Sequence, residues 1–111
     1  MDIHFTARHF KANKELRDYA ISSIQKLDRF YDGILRSDII LSYERQRNSV
    51  KIVEINLRVH RQVLNVKEKS DDYYKSIDLA IDKLIRQLDK FKSKLHMKDK
   101  KLLNRVKKGI D

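Results

Sequence analysis

The feature that most constrains the fold is a run of apolar residues in the second half of the chain, spaced as on one face of a helix. Successive members lie 4, 3, 4, 3 and 4 positions apart: Ile77, Ile81, Leu84, Leu88, Phe91 and Leu95. This spacing predicts an amphipathic α-helix whose apolar stripe must cover an apolar surface elsewhere in the protein. We expect Asp71 or Asp72 to cap its start and the helix to end at about His96.

The partner surface is predicted by four stretches that alternate between apolar and polar residues. They are "DIHFTA" from residue 2, "SDIILSYER" from residue 37, "VKIVEINLRVH" from residue 50 and "QVLNVKEK" from residue 62. Alternation is typical of strands with one buried face. The last three follow one another with short connections, with Asn48 placed for a turn, so they are expected to pair as antiparallel neighbours.

A second amphipathic helix is predicted between the first two strands. Asn13 is suited to cap its start, and Gly33 to end it in a left-handed conformation. The resulting order, β-α-β-β-β-α, indicates an α+β fold: a four-stranded sheet with both helices packed on one face. The first two strands are joined through a helix, so they can pair in parallel.

Charge is concentrated near the carboxyl end. The chain of 111 residues has a net charge of +10, and residues 83–111 carry 11 Lys or Arg against 3 Asp or Glu, a net of +8. Such an excess favours an anionic partner, above all a nucleic acid. We expect residues 1–96 to form one domain and residues 97–111 a basic, flexible tail.

The sequence gives little sign of catalysis. The four histidines share no metal-ligand spacing, there is no cysteine, and no nucleophile or phosphate-loop motif occurs. We therefore expect a protein that is not an enzyme and that needs no cofactor, metal or small-molecule substrate. No apolar run approaches the length of a membrane span and the start does not resemble a signal peptide, so a soluble intracellular protein is expected.

The cations of the predicted helices are segregated from the acids. At about 100° per residue, the cations of the second helix fall within a wedge of roughly 80°, with the apolar stripe on one side of it and Asp78, Asp82 and Asp89 on the other. These cations are Lys83, Arg86, Lys90 and Lys94. Lys26 and Arg29 form a similar stripe on the first helix. If the helices lie side by side, the two stripes are expected to flank the groove between them and to suit the phosphates of a folded RNA.

Three other interpretations compete with this one. A lysine-rich helix face often does no more than keep a protein solvated, although segregation of acids from bases favours a binding role. Binding to a membrane surface is disfavoured because the sheet needs the apolar stripe. Base stacking on the outer face of the sheet is disfavoured too, because that face offers residues such as His4, Thr6 and Asn56 and no aromatic pair.

The second helix, "SDDYYKSIDLAIDKLIRQLDKFKSKL", resembles the last helix of the ribosome hibernation promoting factor family, also called protein Y, ribosome-associated inhibitor or sigma-54 modulation protein. The matching residues are Asp72, Tyr74, Ile77, Asp78, Asp82, Lys83, Leu84, Arg86, Gln87, Leu88, Lys90, Lys92 and Lys94. The first helix is similar through residues including Leu16, Tyr19, Lys26 and Phe30, and "ARHF" resembles the end of the family's first strand. The resemblance extends from residue 1 to about residue 95.

This resemblance implies the same β-α-β-β-β-α fold, which is similar to double-stranded-RNA-binding domains. It also implies a cytoplasmic, bacterial-type inhibitor of translation that binds the small ribosomal subunit in its decoding channel, competes with mRNA and tRNA, and keeps ribosomes idle under stress. The residues it implies as rRNA contacts are Arg8, Lys26, Arg29, Lys83, Arg86, Lys90 and Lys94. A general module for structured RNA is the alternative function. Whether the protein promotes or opposes ribosome dimerisation stays open, as does the role of its basic tail.

Overall fold

The secondary structure follows the predicted order. In a computed structural model of the chain, residues 1–44 and 50–110 are described, with side chains described for 1–44 and 50–95. The elements are β1 (Asp2–Ala7), α1 (Lys14–Gln25), a 3-10 helix (Lys26–Arg29), β2 (Arg36–Tyr43), β3 (Lys51–Val59), β4 (Gln62–Ser70) and α2 (Tyr73–Ile110). The predicted turn at Asn48 lies outside the described residues.

The four strands form one sheet in the order β1-β2-β3-β4. β1 pairs with β2 in parallel, with Phe5 opposite Ile39, while β2 with β3 and β3 with β4 are antiparallel. One face of the sheet is buried by both helices in a single apolar core. α2 packs on β3 and β4, and α1 packs beside it on the side of β1. The α+β fold predicted from alternation and helical spacing is confirmed.

α1 begins as expected and ends differently. The Asn13 side chain accepts a hydrogen bond from the Leu16 amide at 2.8 Å, which confirms it as the N-cap. The helix stops being α-helical at Gln25 and tightens into the 3-10 helix. There the amides of Phe30 and Tyr31 both donate to the carbonyl of Leu27, at 3.0 and 3.1 Å.

The predicted left-handed cap at Gly33 is wrong, because Gly33 does not have a positive φ angle. The glycine is needed for a steric reason instead: a Cβ atom at this position would collide with the ring of Tyr31. That ring packs edge-on against Phe91 of α2, with 5.4 Å between ring centroids. The position therefore favours glycine, because a larger residue would have to displace the Tyr31 ring that packs on Phe91.

α2 is longer than expected. Asp72 marks its start, since its carboxylate accepts from the Tyr74 amide at 3.3 Å and its carbonyl accepts from the Ser76 amide at 3.0 Å. The helix was expected to end at about His96, but its backbone continues to Ile110. At 1.5 Å per residue, its 38 residues span about 57 Å. In the part of the chain that is described, no helix is both long and apolar enough to cross a membrane.

β3 and β4 are joined by a tight turn in which Val59 pairs with Gln62 across His60 and Arg61. Arg61 adopts a φ angle of 61°, a left-handed conformation that normally suits glycine or asparagine. This turn sets the register of β4, the edge strand beside which the cations of α2 lie.

Candidate nucleic-acid interface

The four cations of the predicted α2 stripe are all exposed, and they lie on one side of the helix. That side faces β4. Lys83 forms an ion pair with Glu68 of β4, and the Gln87 side chain donates to the Asn65 carbonyl of β4 at 3.3 Å. We call this set, Lys83, Arg86, Lys90 and Lys94, the α2 ridge.

The expectation that two basic stripes flank the groove between the helices is therefore wrong. The opposite side of α2 is the one that contacts α1 and the residues after it: Asp78 accepts a hydrogen bond from the Tyr19 hydroxyl at 2.5 Å, and Lys92 donates to the Phe30 carbonyl at 2.6 Å. Helical geometry places Asp82 between that side and the α2 ridge. The ridge points away from α1 because the apolar stripe can meet the sheet in only one rotation of the helix.

The contact between Tyr19 and Asp78 has an electrostatic consequence. The hydrogen bond to the carboxylate raises the pKa of the Tyr19 hydroxyl above its ordinary value, helped by partial burial and by the negative charge of Asp78. The Tyr19 ring also packs edge-on against Tyr74, with 5.0 Å between centroids. This side of α2 is thus committed to holding the two helices together.

Within the ridge, Lys83 differs from its neighbours. Glu68 is mostly buried, with 15% of its side chain exposed, and the ion pair with Lys83 compensates its charge. The sequence contained a signal for this partner: alternation in β4 places Glu68 on the same inward face as Leu64 and Val66. A carboxylate there needs a cation from the covering helix.

Lys90 and Lys94 border an open groove between α2 and β4, with a volume of about 270 Å³. Gln62 and Gln87 contribute amide groups to its walls, and the buried side chains of Leu64 and Phe91 contribute apolar surface. The distribution of charge along the sequence did not indicate these two glutamines. Their proximity depends on how α2 docks beside β4, although Gln87 lies one turn before Phe91 on the helix.

The other predicted contacts lie apart from the ridge. Lys26 and Arg29 are exposed, and they belong to the 3-10 helix rather than to α1. In a 3-10 helix, residues three apart lie on the same side. Arg8 is exposed after β1, and its amide donates to the Leu41 carbonyl at 2.9 Å. The next residue, His9, has a φ angle of 64° and its carbonyl accepts from the Tyr43 hydroxyl at 3.2 Å. These contacts fix the backbone that carries Arg8.

The outer face of the sheet is held by polar contacts. Arg36 pairs with Asp38 at 3.0 Å, and the Asn65 side chain donates to Glu54 at 3.1 Å and to Asn56 at 2.6 Å. Among residues 1–44 and 50–95, no group of three or more His, Asp or Glu is placed to hold a metal ion.

Fold and site together define a small α+β domain with a basic ridge along its last helix. The match to known families is direct: the model of the Sigma 54 modulation protein / S30EA ribosomal protein family matches residues 3–96. The chain belongs to this family.

Similar proteins and structures agree with this assignment. The chain is 33% identical over 95 residues to the ribosome hibernation promoting factor of Klebsiella oxytoca, which covers 86% of this chain and 97% of that protein. It is 28% identical over 85 residues to the ribosome hibernation promotion factor of Staphylococcus aureus strain COL, covering 77% of this chain and 45% of that longer protein.

Two solved structures share the fold. A ribosomal subunit interface protein from Coxiella burnetii superposes with a TM-score of 0.77 and 29% identity, covering 84% of this chain and 99% of the other. The Protein Y N-terminal domain of Thermus thermophilus superposes with a TM-score of 0.72 and 29% identity, covering 82% and 99%.

Proposed function

We propose that this protein is a non-enzymatic ribosome hibernation factor that binds the small ribosomal subunit in its decoding channel. Bound there, it would occupy the paths of mRNA and tRNA and keep idle cytoplasmic ribosomes silent. Family membership and the names of the relatives support a ribosome-associated role in hibernation. The decoding channel as the place of binding, and competition with mRNA and tRNA, are the finer parts of the proposal.

The observation that carries the proposal is the α2 ridge. Its cations are exposed, and the acids Asp78 and Asp82 lie to one side of them around the helix, so Arg86, Lys90 and Lys94 present a positive edge to a partner. Neutralising rRNA phosphates releases bound counterions, which is the main source of affinity in such contacts. Arg86, Lys90 and Lys94 are the strongest candidates. Lys83 is expected to contribute less because it already pairs with Glu68.

Lys26, Arg29 and Arg8 are proposed as further rRNA contacts at the margins. Lys26 and Arg29 extend from the 3-10 helix, which Lys92 ties to α2. They lie across the outer surface of α2 from the ridge, so a partner that touched both sets would have to wrap around the helix. Their individual effects are expected to be smaller than that of Arg86.

The test is sedimentation of the protein with purified small subunits, with tRNA and mRNA as competitors. Wild type is expected to bind one copy per subunit and to be displaced by both competitors. Replacing the ridge centre, Arg86→Glu with Lys90→Glu, is expected to abolish binding while circular dichroism stays native. Retained binding would show that the ridge is only a solvated face.

A matched control is available on α1. Lys14→Glu with Arg17→Glu changes the net charge equally, at exposed positions near the start of a helix, where acids are favourable. This variant is expected to bind more tightly than the ridge variant. Equal affinity of the wild type for subunits and for any duplex RNA, without competition by tRNA, would instead favour the general RNA-binding module.

A further inference from the structure

The groove between α2 and β4 combines two kinds of chemistry that the ridge alone does not have. Lys90 and Lys94 lie one helical turn apart along one side. Gln62 and Gln87 bring neutral amides, each with donors and an acceptor. Among the residues whose side chains the structure describes, no Asp or Glu lines the groove. A phosphate group suits the lysines, and a hydroxyl group suits the amides.

The amides are partly oriented by the fold. Gln87 donates one hydrogen bond to the Asn65 carbonyl, which leaves its side-chain oxygen and its second N–H for a ligand. The Asn65 side chain is turned to the outer face of the sheet, where it bonds Glu54 and Asn56, so only its backbone serves the groove. Gln62 is exposed at the start of β4, next to the turn fixed by Arg61.

The groove is shallow. The apolar side chains beneath it, Leu64 and Phe91, are 6% and 7% exposed, so they are covered and offer no free aromatic face on which a base could stack. Its volume of about 270 Å³ is too small for a folded helix of a partner and is of the order of one nucleotide. The occupant is therefore held by the polar groups around the groove rather than by stacking on its apolar floor.

We propose that this groove holds one ribose-phosphate unit of RNA, with Lys90 and Lys94 on the phosphate and with Gln62 and Gln87 on the ribose 2′-hydroxyl. The 2′-hydroxyl both donates and accepts hydrogen bonds and is the group that distinguishes RNA from DNA. The inference rests on the proposed function, to which it adds a specific chemistry: the ridge positions the RNA, and the two glutamines recognise its sugar.

The experiment measures the affinity for purified small subunits of a double variant, which carries both Gln62→Met and Gln87→Met, and of the wild type. Methionine keeps the length of glutamine and removes its hydrogen bonds. We expect affinity to fall about tenfold, with no change in its salt dependence because no charge is lost. Lys90→Met should instead reduce the salt slope, the slope of log affinity against log salt concentration, by about 0.9. The matched control is Gln25→Met, at an exposed position on α1 outside the groove.

The decisive readout is acylation of the 2′-hydroxyls of the subunit's rRNA. Wild type and Gln25→Met should protect the same nucleotides, and the double glutamine variant should restore reactivity at one or two of them. Unchanged protection by the double variant would overturn the inference. So would weakened binding without a change in protection, which would assign the groove to a protein segment of the subunit. Failure of wild type itself to bind subunits would overturn the proposed function instead.

Discussion

Lys90 and Lys92 are two residues apart on α2, yet the structure places their side chains in different surroundings. The Lys92 amine donates to the Phe30 carbonyl at 2.6 Å, just beyond the 3-10 helix. The end of a helix exposes carbonyl groups and attracts cations. Lys90 lies on the ridge beside the groove, and within the described residues it has no hydrogen bond or ion pair. Replacing each lysine by methionine should therefore separate stability from binding.

The magnitudes follow from these contacts. A hydrogen bond from a charged group contributes about 1.5–3 kcal/mol where it is shielded from water. Lys92 is exposed and must give up side-chain freedom, so the net loss expected for Lys92→Met is about 1 kcal/mol. In a domain of this size, that lowers the unfolding midpoint by about 4 °C. Lys90→Met should change stability by less than about 0.5 kcal/mol.

Binding should respond in the opposite order. If Lys90 neutralises one phosphate, its loss reduces the salt slope by about 0.9. Over a fourfold rise in salt concentration, the affinity of Lys90→Met should then fall by a factor about 3.5 times smaller than the affinity of wild type does. Lys92→Met should keep the wild-type slope, because its amine faces Phe30 rather than the partner.

The assay combines thermal unfolding by circular dichroism with subunit affinity at four salt concentrations. Lys92→Arg serves as the control, since it retains a donor and a charge. A stabilising role for Lys92 and a binding role for Lys90 are refuted if Lys92→Met keeps the wild-type unfolding midpoint while lowering the slope of log affinity against log salt concentration as much as Lys90→Met does.

Two further predictions concern the fold. Arg61→Gly should raise the free energy of unfolding by about 0.5–1 kcal/mol. The left-handed φ of 61° costs a non-glycine residue about 1–2 kcal/mol, and the greater conformational entropy of glycine in the unfolded chain offsets part of that gain. Urea denaturation measures it, and a loss of stability would mean that the Arg61 side chain supports the turn. Tyr19 has a raised pKa because its hydroxyl donates to Asp78, so folding favours the protonated phenol. That contribution is fully present below the ordinary value of about 10 and is lost as pH rises through the folded-state pKa. Tyr19→Phe should therefore be less stable than wild type at neutral pH and lose less stability above about pH 10, and equal losses in an alkaline titration would contradict this.

Much of the fold could be predicted because side-chain periodicity reports directly on burial. Ile39 and Leu41 of β2 and the apolar residues from Val53 to Val59 on the inward face of β3 are buried as alternation predicted, while Tyr43 is half-buried, and the α2 stripe from Ile77 to Phe91 lies in the core. Asn13 caps its helix through a local hydrogen bond, which depends only on residues close in sequence. Such features are decided within one element, so one element's sequence predicts them.

What failed were the statements that needed two elements at once. Gly33 was assigned a backbone role, but the packing of Tyr31 on Phe91 gives it a steric one. The exposure of Arg86 and Lys90 was correctly predicted, but not the side of the molecule they would face.

By itself, the sequence determined the element types, the buried faces and the existence of a segregated basic stripe. Only the tertiary structure decided that this stripe runs beside β4, that Lys83 is paired with Glu68, that Lys92 bonds the Phe30 carbonyl, and that Gln62 and Gln87 line one groove. The physical reason is that periodicity fixes how side chains are distributed around one helix. Which neighbours each side of that helix meets depends on its position over the sheet, and that position is set by core packing among residues distant in sequence.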